Sequence, residues 1–264
     1  MTDTMPLRLL LLGGTGEARR LAERLAGDDR FEVILSLAGR TRTPRLAPVA
    51  IRQGGFGGIA GLITWLERES IDAMILATHP FAVQMAAHAE QAAKRTGTPT
   101  LHLARPEWPR HPQDCWLECD RLEDAPALLG DTPRRVLLAL GRQQAALFEA
   151  APQHDYLIRS VEPLEPALDL PRAQSLLARG PFTLASEREL LKRHGIEVIV
   201  TKHSGGEETY AKIAAARELG IRVVMVRRPP APALPRIERM DEALEWLTRQ
   251  AGLSGSHPGA NRGE

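Results

Sequence analysis

Short apolar runs alternate along the chain with longer segments whose apolar residues recur every three or four positions. Residues 7–12 are apolar at all but one position, which is typical of a strand covered on both faces of a sheet. Residues 16–26 follow, with Leu21, Ala22 and Leu25 on one face of a predicted helix. This repeated alternation predicts an α/β fold of two Rossmann-like domains, each a doubly wound parallel sheet, with a cleft between them.

A proline-rich segment interrupts the alternation. The stretch RPEWPRHPQ, residues 105–113, is typical of a connection between domains. We therefore expect a first domain over residues 1–106 and a second over residues 107–252. Residues 253–264 are polar and rich in glycine, which predicts a disordered tail. Two further predicted strands, within residues 114–120 and 221–227, can join either sheet.

The turn after the first predicted strand has the composition of a phosphate-binding loop. Its glycines permit a close backbone approach, and the helix that follows directs free N–H groups toward the turn. The match to the dinucleotide-binding pattern is incomplete, because Arg19 stands where a third glycine is usual. A turn that only connects strand to helix is the alternative. The residues expected to bind the nucleotide are Gly13, Gly14, Thr15, Gly16 and Glu17.

The segment after the second predicted strand indicates which nucleotide would bind. An NAD site usually places an acidic residue there, whereas this chain has Arg40, Thr41 and Arg42. A guanidinium fork suits a 2′-phosphate, so the sequence favours NADPH over NADH, unless these arginines are only solvated surface residues. Thr78 and His79 follow the predicted strand of residues 71–78, where they are expected to contact the ribose or the nicotinamide.

A second loop in the later part of the chain is a candidate anion site. The sequence TKHSGGEE places Lys202, a histidine, a serine and two glycines between a predicted strand and a predicted helix. Arg142 follows another predicted strand of the same half. A capped helix with an incidental lysine is the alternative interpretation. The residues expected to bind an anionic substrate are Arg142, Lys202, His203, Ser204, Gly205 and Gly206.

Composition narrows the class of protein. The 264 residues include 34 Lys and Arg against 33 Asp and Glu, which argues against a general nucleic-acid binder. No run reaches the about 20 apolar residues of a membrane span, and the N-terminus lacks the pattern of a signal peptide. The two cysteines, Cys115 and Cys119, do not make a zinc site and suit a reducing compartment. We expect a cytoplasmic protein without nucleic-acid or membrane partners.

Four motifs occur in the order of a known family. LLLGGTGEAR, LAGRT, DAMILATHPFA and VTKHSGGEETYAKIAAARELGIRVVMVRRP together resemble the precorrin-6A reductases of cobalamin biosynthesis. The resemblance implies NADPH-dependent reduction of one double bond of the precorrin-6A macrocycle to give precorrin-6B. It implies a substrate with several carboxylates, and no metal or flavin. Lys202 and His203 become candidates for proton donation or substrate orientation.

Three other functions stay open at this point. The anaerobic-route relatives reduce cobalt-precorrin-6A, and the motifs do not separate the two routes. An NADP-dependent reductase of small carbonyl compounds would be favoured by a Tyr-x-x-x-Lys pair, but Ser160 and Ala214 stand four residues after the two tyrosines. A non-catalytic NADP sensor would bind the nucleotide without turnover. The oligomeric state is expected to be a monomer or a small homo-oligomer.

Overall fold

The computed structural model describes residues 5–39, 47–161, 163 and 168–254. In chain order its strands and helices are β1 (Leu7–Leu12), α1 (Gly16–Leu25), β2 (Phe31–Leu37), β3 (Ala50–Gln53), α2 (Gly58–Arg68), β4 (Ala73–Leu76), α3 (Val83–Thr96), β5 (Thr100–Leu103), β6 (Trp116–Cys119), β7 (Arg135–Ala139), α4 (Arg142–Ala145), β8 (Asp155–Ser160), β9 (Ala173–Leu177), α5 (Leu184–Arg193), β10 (Val198–Lys202), α6 (Ala211–Glu218), β11 (Arg222–Val226), β12 (Arg236–Ile237) and α7 (Met240–Ser254). Short 3-10 helices lie at Leu122–Asp124, Ala127–Leu129 and Ala146–Ala150. In these described ranges, every helix is too short or too polar to cross a membrane.

The chain forms two compact units. Residues 1–105 and 230–264 make the first unit, and residues 106–229 make the second. The first unit contains a six-stranded parallel sheet in the order β3-β2-β1-β4-β5-β12. The second contains a six-stranded parallel sheet in the order β9-β8-β7-β10-β11-β6. Each has the strand order of a Rossmann fold, so the prediction of two Rossmann-like parallel sheets is confirmed.

The leucines of β1 show why the first sheet is covered on both faces. Successive side chains of a strand point to opposite faces of the sheet. Leu9 and Leu11 join one core with α1 and α7, and Leu10 and Leu12 join a second core with α2 and α3. The near-continuous apolar run therefore reports two buried faces rather than one.

The second sheet has the same construction. Leu137 of β7 and Ile199 of β10 pack with Leu191 of α5 and Ile213 of α6 in a core on one face. Both strands that sequence left unassigned, β6 and β11, belong to this sheet and pair with each other. The edge strand β9 is largely exposed.

The predicted domain boundaries need a correction at the C-terminal side. Residues 230–252 belong to the first unit, whereas the prediction of a second domain over residues 107–252 placed them in the other. Strand β12 pairs with β5, and Ala243 and Leu247 of α7 are fully buried in the core of the first unit. The pairing joins residues far apart in the chain, so local patterns do not encode it. The predicted tail begins inside α7, and its residues 255–264 lie outside the described residues.

Candidate active site

The first sheet brings two of the predicted nucleotide loops together. Strands β1 and β4 are neighbours, and the chain leaves their carboxyl ends toward helices on opposite faces. Ligands of doubly wound sheets bind at such a point. The turn after β1 meets the loop after β4 directly, since the Thr15 hydroxyl donates to the Ala77 carbonyl at 2.7 Å. Thr78 and His79 follow Ala77, and both are half-buried.

The two glycines of the turn are required by close packing and by backbone conformation. A Cβ on Gly13 would lie 2.6 Å from Leu35 Cδ1, and Gly14 has a φ of 114°, which favours glycine. Thr15 caps α1, because its Oγ1 accepts from the Ala18 amide at 3.2 Å. The N-terminus of α1 begins at Gly16 and carries a partial positive charge. These residues fit a nucleotide pyrophosphate.

Glu17 stands in the first turn of α1 and is already engaged. Arg105, which follows β5, donates to Glu17 Oε2 from Nε at 2.9 Å and from Nη2 at 2.6 Å. The two side chains are 9% and 14% exposed. Burial acts to raise the pKa of Glu17, but the charge and hydrogen bonds of Arg105, with a smaller effect of Arg20, outweigh it and lower the pKa. Glu17 is therefore an ionised carboxylate whose charge is compensated within the protein.

His79 has a local structural contact. Its Nδ1 accepts from the Phe81 amide at 3.2 Å, and the Ala82 amide donates to the His79 carbonyl at 2.8 Å. These bonds make a turn over residues 79–82, and α3 begins directly after it at Val83.

The predicted 2′-phosphate residues, Arg40, Thr41 and Arg42, lie outside the described residues. Arg52 of β3, a described arginine in the same half of the chain, was not predicted. Its guanidinium donates to the Gly54 and Gly55 carbonyls, both at 2.6 Å, and stacks 3.7 Å from the centre of the Phe56 ring. Burial, and then the charge of Arg68, lower its pKa. Arg52 holds the glycine-rich loop that leads into α2.

The second sheet likewise brings its two predicted loops together. Strands β7 and β10 are neighbours, with Thr201 paired to Ala139. Arg142 begins α4 just beyond β7, and residues 203–206 follow β10, so both segments leave the same carboxyl edge. Lys202 is the last residue of β10 and is half-buried.

His203 is enclosed rather than open to a ligand. Its side chain is nearly buried, with the residue 7% exposed. The ring stacks on Trp108 with centroids 5.5 Å apart and meets the Trp116 ring edge-on at 5.7 Å. Burial lowers the pKa of His203, and the charge of Arg228 adds to this effect while that of Glu107 opposes it. His203 is therefore neutral near pH 7 and packs beneath the loop that it begins.

The loop after β10 is tied to the segment that starts the second unit. Arg228 Nε donates to the His203 carbonyl at 2.9 Å, and its Nη2 donates to the Ser204 and Pro106 carbonyls, both at 3.1 Å. Trp108 Nε1 donates to the Gly206 carbonyl at 2.7 Å. No local pattern predicts the contacts of Trp108 and Pro106 with this loop, because the partners are about a hundred residues apart along the chain.

A buried ion pair lies at the carboxyl end of β8. Arg159 and Glu187 form a hydrogen-bonded pair, with side chains 7% and 2% exposed. The Arg159 guanidinium also lies 4.3 Å from the centre of the Phe182 ring. Sequence reasoning missed this pair, although an acidic residue in the first turn of α5 was visible. In the described part of the chain, no three His, Cys, Asp or Glu side chains gather as metal ligands.

Comparisons with known proteins agree over nearly the full chain. A family model described as precorrin-6x reductase CbiJ/CobK matches residues 8–248. A precorrin-6A reductase from Sinorhizobium sp is 52% identical over 244 residues, covering 91% of this chain and 94% of the relative. A cobalt-precorrin-6A reductase from Priestia megaterium is 28% identical over 256 residues, covering 92% and 98%. A solved structure named CobK precorrin-6A reductase aligns with a TM-score of 0.88 at 45% identity, covering 92% of this chain and 96% of the other.

Proposed function

The chain belongs to the precorrin-6x reductase CbiJ/CobK family, and on that premise we propose that it is an NADPH-dependent precorrin-6A reductase. The observation that carries the proposal is the 52% identity to a precorrin-6A reductase over 91% of the chain. The family predicted from the sequence motifs is thereby confirmed. The reaction adds a hydride to one ring carbon and a proton to the adjacent carbon. One double bond of precorrin-6A is thereby reduced to a single bond, which gives precorrin-6B.

The metal-free substrate is favoured over its cobalt complex. Identity to the precorrin-6A reductase of Sinorhizobium sp is 52%, whereas identity to the cobalt-precorrin-6A reductase of Priestia megaterium is 28% over a similar length. The two identities can be compared because each alignment covers more than nine-tenths of this chain. It supports the metal-free route, which sequence motifs alone left open.

The glycine turn of the first unit is the proposed nucleotide site. Gly13, Gly14 and the start of α1 suit the pyrophosphate, and Thr78 and His79 flank the same point of the sheet. When bound, NADPH supplies the hydride. Arg40, Thr41 and Arg42 remain the predicted readers of its 2′-phosphate, which would give the preference for NADPH over NADH.

The loop after β10 is the proposed site for substrate carboxylates. The proposed donors are Lys202, Ser204 and the backbone of Gly205, together with Arg142, whose side chain lies outside the described part of the structure. Gly206 was also predicted, but its amide donates to the Pro106 carbonyl at 3.2 Å. The burial of His203 supports a positioning role for that residue, which leaves Lys202 as the candidate proton donor among the two that sequence suggested. Cytoplasmic location and a monomeric or small homo-oligomeric state also stay predictions.

A coupled assay of cofactor and substrate tests the proposed function. Protein is mixed with NADPH, with and without precorrin-6A, and the absorbance of the reduced nicotinamide is followed. We expect oxidation only when precorrin-6A is present, and faster with NADPH than with NADH. Nucleotide binding without oxidation would identify a sensor instead, and oxidation only with the cobalt complex would assign the chain to the anaerobic route.

A further inference from the structure

The loop of residues 54–57 follows β3 at the carboxyl edge of the first sheet, beside the segment that follows β2. The Gly54 amide donates to the Leu37 carbonyl at 2.9 Å, and a Cβ on Gly39 would lie 3.7 Å from the Gly54 nitrogen. Neighbouring strands are about 4.8 Å apart, so β3 ends about 10 Å from the turn after β1. The loop therefore flanks the point at which the predicted 2′-phosphate segment begins.

The proposed cofactor site assigns no residues to the adenine ring of NADPH. The pyrophosphate is the middle of the dinucleotide, and in an extended dinucleotide the two nucleosides leave it in opposite directions. Thr78 and His79, which are proposed for the nicotinamide half, follow β4 on one side of β1. The adenosine half then extends along the other side, toward the ends of β2 and β3.

Arg52 of β3 has its guanidinium fixed at this end of the sheet. The group donates to the Gly54 and Gly55 carbonyls, both at 2.6 Å, and to Ser36 Oγ at 3.3 Å. These acceptors are neutral, and among the described residues no carboxylate forms an ion pair with Arg52. Burial, and then the like charge of Arg68, lower its pKa. The sheet edge thus holds an oriented cation whose charge the described residues do not compensate.

Two aromatic rings lie on one side of this guanidinium. Its carbon is 3.7 Å from the centre of the Phe56 ring and 5.8 Å from the centre of the Trp65 ring. Rings on opposite faces would have their centres much farther apart than the observed 5.4 Å. Neither ring therefore covers the second face of the Arg52 guanidinium, and the residue is only half-buried. A guanidinium face of this kind stacks on flat aromatic groups.

Gly55 is a glycine that the fold itself does not require. Gly54 and Gly57 have φ values of 102° and 81°, which account for glycine at those positions. Gly55 has no positive φ, and a Cβ there would meet no heavy atom within 4 Å. The residue is exposed, and its carbonyl is held by Arg52. Close approach of a ligand to the backbone is a physical reason for glycine at such a position.

We propose that Arg52 and Gly55 form the subsite for the adenine ring of NADPH. The ring stacks on the guanidinium face opposite Phe56, and its edge packs against the bare backbone at Gly55. The subsite rests on the proposed function, which supplies NADPH as the cofactor. Because it recognises the base rather than the phosphate, it contributes equally to the binding of NADPH and NADH.

Calorimetric titration of two variants with the cofactor and its fragment tests the subsite. Arg52→Lys keeps the charge but loses the planar face, and Gly55→Ala adds a methyl group to the bare backbone. Each is expected to weaken NADPH and NADH by the same factor of about ten. The affinity for reduced nicotinamide mononucleotide, which lacks the adenosine half, should stay unchanged. Thermal melting of Gly55→Ala should show no loss of stability, since no atom is displaced.

Two control variants separate the subsite from general effects of substitution. Arg30→Lys changes an exposed arginine that pairs with Asp28 at 2.7 Å, and Gly252→Ala changes an exposed glycine of α7 with open space around it. Both should bind NADPH as wild type does.

Four results would overturn the subsite. A loss confined to NADPH would assign Arg52 to the 2′-phosphate instead, and an equal loss for the mononucleotide would show an effect through the fold. Unchanged NADPH affinity of Gly55→Ala would also contradict it, whether or not Arg52→Lys folds. If wild type binds neither NADPH nor NADH, the proposed function fails together with the subsite.

Discussion

Arg105 resolves an electrostatic conflict at the proposed nucleotide site. The start of α1 attracts phosphates, but Glu17 places a carboxylate in the same first turn. Uncompensated, that charge would repel the pyrophosphate across a few ångströms, and partial burial would leave the repulsion weakly screened. The two hydrogen bonds from Arg105 cancel it. The ion pair thereby preserves the anion-binding character of the turn.

A double-mutant cycle separates this role from simple packing. We expect Arg105→Ala to weaken NADPH binding about tenfold, because it exposes the phosphates to the Glu17 charge. Adding Glu17→Gln to that variant should restore most of the affinity, and Glu17→Gln alone should cost little. The dissociation constants are measured by calorimetric titration, with thermal melting to check the fold. A double variant that binds as weakly as Arg105→Ala would show that the arginine acts through structure alone.

At the scale of elements, the buried strands are predictable from their own local sequence, whereas the short edge strands are not. The apolar run of residues 7–12 predicts β1 because both faces of that strand are covered. Strand β12 has two residues within a proline-rich stretch, and nothing in its own sequence selects β5 as its partner. For the same reason, the sequence did not reveal which distant residues contact the two glycine loops. Glycine turns are visible in sequence, but tertiary contacts decide that Arg105 binds Glu17 beside the first turn and that Arg228 binds the carbonyls of the second loop.

The segment that leads into β8 carries a buried histidine at the opposite end of the strand from the site. His154 is fully buried, and neither ring nitrogen has a hydrogen-bond partner among the described residues. Burial lowers its pKa, and the charges of Arg134 and Arg172 add to this, while the Gly130 carbonyl and Asp131 oppose it. The folded protein therefore holds His154 neutral under conditions in which the unfolded chain binds a proton.

This difference makes stability depend on pH. In the unfolded chain the histidine titrates near its ordinary pKa of 6.5, and in the folded protein its pKa is lower. The contribution of His154 to stability is complete above the unfolded pKa and is lost as the pH falls below it, because only the unfolded state gains the proton. His154→Phe should lose less unfolding free energy than wild type between about pH 7.5 and pH 5.5, as measured by urea denaturation. An identical loss in both proteins would show that His154 does not contribute.

Across the whole molecule, one strand order is used twice. In each unit five strands follow the chain in the same pattern. The sixth strand of each sheet is the first strand after the chain enters that unit from the other one: β12 in the first unit and β6 in the second. The two glycine loops follow different strands of that pattern, since the first follows β1 and the second follows β10, which takes the position of β4. Composition and periodicity predicted two Rossmann-like sheets, but the source of the sixth strand depends on pairings that alternation alone does not specify.

The central claim is that this chain transfers a hydride from NADPH to precorrin-6A. The most direct measurement is mass spectrometry of the tetrapyrrole product formed in ordinary water from NADPH deuterated at both C4 positions. We expect the product to gain one deuterium and one proton, giving precorrin-6B with a single deuterium on carbon. Product without deuterium, or precorrin-6A recovered unchanged alongside intact nucleotide, would contradict the claim.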